Sequence, residues 1–129
     1  MLVWEQPCPE LAGLIEQGHL DDHFVRDVCT EYLEPLLSRE IEVVVLGCTH
    51  FPFVQPLLEE LTSGRIQFID PAFETSELVR RRLEGKDLFN PQKTAGTVSL
   101  YFTKDIELGD TLSASFLDTS RRSIEHITL

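Results

Sequence analysis

The run Ile41-Glu42-Val43-Val44-Val45-Leu46 constrains the fold more than any other stretch of the 129 residues. It does not alternate apolar with polar residues, as a half-exposed strand would, so it predicts a central strand of a parallel sheet, buried on both faces. Behind it, Pro52 and the helical spacing of Val54, Leu57, Leu58 and Leu61 predict a helix, closed by Ser63-Gly64. A second strand, Ile66-Gln67-Phe68-Ile69, follows. Strand, helix and strand in that order imply a right-handed crossover.

The flanking segments read as helices and further strands. Pro9 stands at a first helical position ahead of Leu11, Leu14 and Ile15, and Gly18 stops that short helix. Asp21 or Asp22 caps a second helix, in which Phe24, Val28, Tyr32 and Leu36 are expected to form the buried stripe and Pro35 to kink or end it. Asp70-Pro71 opens another, with Ala72, Ser76, Val79 and Leu83 on one face as far as Gly85. Residues 86–96 form a polar loop, 98–103 a strand, 109–117 a helix and 124–129 a closing strand. The fold class is α/β, a parallel sheet with flanking helices.

Charge narrows the function. Eleven Lys and Arg against twenty-two Asp and Glu give a net charge of −11, with no basic stripe for nucleic acid. An anionic ligand must then be held by local donors. Cys8, Cys29 and Cys48 are odd in number and outside any CxxC pattern, which suits a reducing compartment. No membrane-spanning run or secretory leader is legible, and the expected location is the cytoplasm.

Chemistry concentrates at Gly47-Cys48-Thr49-His50, directly after the first strand. Open α/β sheets bind ligands at the carboxyl ends of their strands. A helix starting near Pro52 would turn free N–H groups and a positive dipole end towards the Cys48 thiol, and would also offer a seat for a carboxylate. Thr49 adds a hydroxyl donor and His50 a proton-exchanging group. The same spacing fits a structural turn, with Cys48 a small buried hydrophobe and Thr49 a cap, and spacing does not choose between the two. A cysteine hydrolase lacks an evident second His with Asn or Asp. A metal site is not expected, because His19, His23 and His126 do not stand at ligand-pair spacing with Cys48 and His50.

Val44-Val45-Leu46-Gly47-Cys48-Thr49-His50-Phe51-Pro52 resembles a catalytic motif of the cofactor-independent aspartate/glutamate racemases, with Phe51 where tyrosine is more usual. The segment from Pro7 to Gly18 is similar to the family's Cys-Pro helix, and Tyr32-Leu33-Glu34-Pro35-Leu36 adds support. Ile69-Asp70-Pro71-Ala72-Phe73-Glu74-Thr75 and Tyr101-Phe102-Thr103-Lys104-Asp105 resemble later family segments. The family's first motif, a cysteine followed by Asn-Thr, has no counterpart here. Members run to about twice this length, so the likeness is to their carboxyl-terminal half.

The resemblance implies interconversion of L- and D-glutamate by two cysteine thiols on opposite faces of the α-carbon, without a cofactor, supplying D-glutamate for peptidoglycan and so for cell-wall biogenesis and cell shape. Cys48 matches the thiol assigned to the L-glutamate face. Thr49 matches a substrate-holding residue and His50 an assistant in proton transfer. Glu16 is similar to a carboxylate near that histidine, although a solvated glutamate at a helix end is an equally good reading. Cys8 and Cys29 are expected to be structural. Residues 1–69 would belong to a second lobe and 70–129 to the returning part of a first, leaving apolar sheet edges or faces to be covered by a partner such as a second copy, by rearrangement, or by the missing amino-terminal half. Two competing readings are a catalytically silent fragment or binding remnant, and a relative acting on aspartate.

Overall fold

The computed structural model describes residues 2–114 and 117–128, and the chain divides into two compact units, residues 1–87 and 88–129. In the first, α1 (Leu11–Glu16) and α2 (His23–Leu37) precede β1 (Val43–Val45). A single 3-10 turn, Phe51–Val54, leads into α3 (Gln55–Leu61), followed by β2 (Gln67–Ile69) and α4 (Pro71–Glu84). β1 and β2 pair in parallel, with Val43 opposite Gln67, Val44 opposite Phe68 and Val45 opposite Ile69. The α/β class, with parallel strands and flanking helices, is therefore present.

Local chemistry explains the helix boundaries. The Asp22 carboxylate accepts from the N–H groups of Phe24 and Val25, and that of Asp70 accepts from Ala72 N–H, so both helices begin where aspartate satisfies free donors. Gly18, with φ +89°, reverses the chain after α1. Pro35 sits in the last turn of α2, where the missing N–H and the ring clash allow two more helical residues before the helix ends. The Arg26 guanidinium forks onto both Glu60 carboxylate oxygens at 3.0 Å, which ties α2 to the end of α3.

The core joins Leu11 and Ile15 of α1, Val25, Cys29, Leu33 and Leu36 of α2, Val54, Leu57 and Leu58 of the 3-10 turn and α3, and Phe68 of β2. Two expectations shift here. Leu36 of α2 is buried as expected, but the rest of the stripe lies one residue later than Phe24, Val28 and Tyr32: Val25, Cys29 and Leu33 are buried and Phe24 is 55% exposed. Phe24 instead stacks beside His19 and His23 at the helix start, where aromatic partners hold it outside the core. The face expected for α4 is not buried either, for α4 has no buried residue.

β1 is shorter than its sequence run, and it pairs with β2 alone among the described residues. Val44 and Phe68 face the helices. Val43, Val45 and Ile69 face the other way and are 49%, 61% and 36% exposed, so the strand expected at the centre of a sheet has one uncovered face.

The second unit holds β3 (Val98–Phe102), α5 (Ile106–Ala114), a 3-10 turn at Thr119–Arg121 and β4 (Arg122–His126). β3 and β4 form their own parallel pair. α5 begins earlier than the 109–117 expected, and residues 115 and 116 of that expectation lie outside the described residues. Gly109 permits the closest approach, because a Cβ there would lie 2.5 Å from the Phe102 ring. Arg122, its side chain almost fully buried, is paired with Asp110 and Ser113 of α5.

Candidate functional site

Packing places a carboxylate beside the predicted histidine. Leu11 and Ile15, four apart on α1, are buried in the core, and α1 packs against both α2 and the 3-10 turn Phe51–Val54. Glu16 follows Ile15 at the end of α1 and projects away from the core, 48% exposed. Its Oε1 lies 3.0 Å from His50 Nε2, and His50 Nδ1 lies 3.7 Å from Cys48 Sγ.

The order of these groups dictates the proton arrangement. A carboxylate only accepts, so His50 Nε2 carries a hydrogen and donates to Glu16. The neutral ring then presents the Nδ1 lone pair to the Cys48 thiol. Proton transfer from sulfur to Nδ1 forms a thiolate next to an imidazolium whose positive charge faces Glu16, which is the logic of a nucleophile or base, a relay and an orienting carboxylate. Cys48 and His50 are half-buried and Thr49 is exposed, so the group is open to a ligand from one side.

The expected helix dipole contributes less than the sequence suggests. The α-helix starts only at Gln55, after the 3-10 turn, and Phe51 N–H is already bonded to the Cys48 carbonyl at 3.2 Å. Pro52 has no N–H, and its ring favours the tight 3-10 turn that delays the helix. The side chain of His50, rather than helix N–H groups, is what meets the thiol.

The other cysteines lie in different environments. Cys29 is fully buried in the core, and burial, reinforced by nearby Cys8, pushes its thiol up to about 11. Cys8 is half-buried, its thiol donates to the Gln6 carbonyl at 3.5 Å, and burial raises its pKa too. Neither has a histidine partner. Among the described residues no group of three or more His, Cys, Asp or Glu is arranged to hold a metal ion, and no helix is long and apolar enough to cross a membrane.

The Cys48–His50 pair was legible from adjacency. Glu16 was legible only by resemblance, because the 34 residues between it and His50 are closed by the packing of α1.

Sequence and structure comparisons point the same way. No protein-family model matches the chain. It is 29% identical over 127 residues to the glutamate racemase of Levilactobacillus brevis, covering 98% of this chain and 46% of that protein. It is 38% identical over 100 residues to that of Trichodesmium erythraeum, covering 75% of this chain and 37% of that protein. The crystal structure of Francisella tularensis glutamate racemase in complex with D-glutamate superposes with a TM-score of 0.81 at 26% identity, over 95% of this chain and 45% of that one. Thermus thermophilus glutamate racemase in complex with β-chloro-D-alanine gives 0.76 at 30% identity, over 95% and 46% of the two chains. The chain thus spans less than half the length of the relatives it matches. Over most of its own length, and less than half of theirs, the chain is thus similar in both fold and sequence to the glutamate racemases, consistent with the carboxyl-terminal half of such an enzyme.

Proposed function

We propose that this chain supplies one of the two proton-transferring sites of a glutamate racemase. The Glu16–His50–Cys48 line supports this most directly: it makes Cys48 the one thiol of the three with a histidine beside it. In this reading the Cys48 thiolate removes the α-proton of L-glutamate and His50 accepts or returns the thiol proton. Glu16 holds the imidazole and steadies its charge. Thr49 donates to the substrate. The carbanion is reprotonated on its opposite face by a thiol this chain does not contain, because Cys29 is sealed in the core and Cys8 is engaged at its own turn.

The relatives' names support glutamate as substrate, with D-glutamate bound in the Francisella structure. The product would serve peptidoglycan synthesis, and through it cell-wall biogenesis and cell shape, in the cytoplasm, where the three free thiols stay reduced. The lobe division at 69/70 remains part of the proposal. It is supported by α4, which follows Ile69 and has no buried residue of its own. The amino-terminal half of a racemase, rather than a second copy, is the partner this reading requires, because only it brings a different thiol to the opposite face.

The test is α-proton exchange in deuterated water, followed by proton NMR, with circular dichroism reporting inversion. Exchange of L-glutamate that disappears in Cys48→Ala is the expected result. Exchange that survives Cys48→Ala removes the site assignment, and absence of exchange from either enantiomer favours a catalytically silent fragment. Faster exchange of aspartate than of glutamate transfers the chain to the aspartate branch.

A further inference from the structure

Glu16 reaches His50 from the last residue of a six-residue helix, and its side chain is half exposed. Helix ends fray, so a contact made from that position depends on how the chain is closed behind it. Two backbone bonds make the closure. Gly18 N–H donates to the Ile15 carbonyl at 2.9 Å and His19 N–H donates to the Leu14 carbonyl at 3.0 Å, the paired bonds of a Schellman turn. Ile15 is fully buried, which ties the turn to the core. The pair of bonds requires the left-handed backbone of Gly18, whose φ is +89°.

The far side of the same connection is fixed independently. Asp22 meets His19 Nδ1 through Oδ2 and accepts from the N–H groups of Phe24 and Val25 through Oδ1, and Val25 is fully buried in α2. A Cβ on Gly18 would meet no atom within 4 Å, so a side chain there changes the backbone preference without a clash. A β-branched residue strongly disfavours positive φ, whereas asparagine tolerates it.

Resting on the relay reading of Cys48, His50 and Glu16, we propose that Gly18 is a positioning residue for proton transfer at Cys48. Its left-handed conformation closes α1 directly behind Glu16 and so holds the carboxylate on His50 Nε2. A side chain at position 18 strains that conformation. With the α2 end pinned by Asp22, the strain is relieved at the end of α1, where the two closing bonds open and Glu16 leaves the ring.

The experiment measures iodoacetamide alkylation of Cys48 in this chain at neutral pH, by mass spectrometry of the peptide, for Gly18→Val, Gly18→Asn, Glu16→Gln and the Glu16→Gln/Gly18→Val double variant. Gly18→Val should slow alkylation by up to the factor expected of Glu16→Gln, about two- to fivefold. The double variant should be no slower than Glu16→Gln alone, because the turn acts through that carboxylate. Gly18→Asn should restore most of the rate, which a merely destabilised fold would not explain. Circular dichroism checks that each variant is folded at the assay temperature, and Gly18→Ala, which strains the turn less, replaces Gly18→Val if the latter does not fold. A wild-type rate in Gly18→Val beside a slowed Glu16→Gln overturns the positioning role, as does an equal slowing by Gly18→Val with and without Glu16. An unchanged rate in Glu16→Gln itself removes the relay reading and the positioning role with it, so the two failures are separable.

Discussion

Replacing Glu16 by Gln isolates the carboxylate end of the relay. The substitution preserves shape and leaves an oxygen that still accepts from His50 Nε2, but it removes the negative charge 3.0 Å from the ring. The Glu16 side chain is 48% exposed and that of His50 29%, so solvent screens the pair, and its worth is that of a good partly exposed ion pair, about 0.5–1 kcal/mol. At about 1.4 kcal/mol per factor of ten, the thiolate–imidazolium form should fall about two- to fivefold. Iodoacetamide alkylation of Cys48 at neutral pH, read by mass spectrometry of the peptide, should slow by that factor. The rate in denaturant should not change. Stability should change little or rise slightly, because Glu16 is the last residue of α1, where the helix dipole opposes a negative charge. Unchanged or faster alkylation, or an equal slowing in Glu10→Gln, would refute the relay.

Two further substitutions and one titration probe the supporting structure. Gly109→Ala puts a methyl group against the Phe102 ring and should destabilise the 88–129 unit by about 1–3 kcal/mol, offset in part by better helix propensity. Urea unfolding that shows no loss would mean the ring moves freely. Towards acid, the His19 hydrogen bond holds Asp22 below the usual carboxylate range, and the Arg26 hydrogen bonds do the same to Glu60. Each folded-state value is lower than its unfolded one, so their contribution is complete above the ordinary carboxylate range and is lost as pH falls through the depressed values. Thermal melts should be flat from neutral pH to about pH 5 and decline below about pH 4, with a shallower decline in Glu60→Gln.

Much of this organisation was legible in one dimension because it depends on near neighbours. The Asp22 and Asp70 caps, the Gly18 reversal and the Cys48–His50 pairing each join residues a few positions apart, so type and spacing suffice. The α2 stripe holds at Leu36 but lies one residue later at its other three positions, because Phe24 and Val25 are both apolar and only the aromatic contacts at the helix start and the room in the core decide which turns inward. The start of α3 was displaced because a proline is compatible with the opening of either an α-helix or a 3-10 turn.

The sequence by itself determined the α/β class, the parallel strands and the placing of Cys48 at a strand end beside His50, since β-branched runs, caps and near neighbours act through local backbone preference and the hydrophobic period. Only the tertiary structure decided that Glu16 meets His50 and that Val43, Val45 and Ile69 face outward. Both outcomes depend on where whole elements pack. A carboxylate on α1 meets His50 only because Leu11 and Ile15 bury the opposite side of that helix. An apolar strand stays half-bare only because the described helices contribute to a core on one side of it.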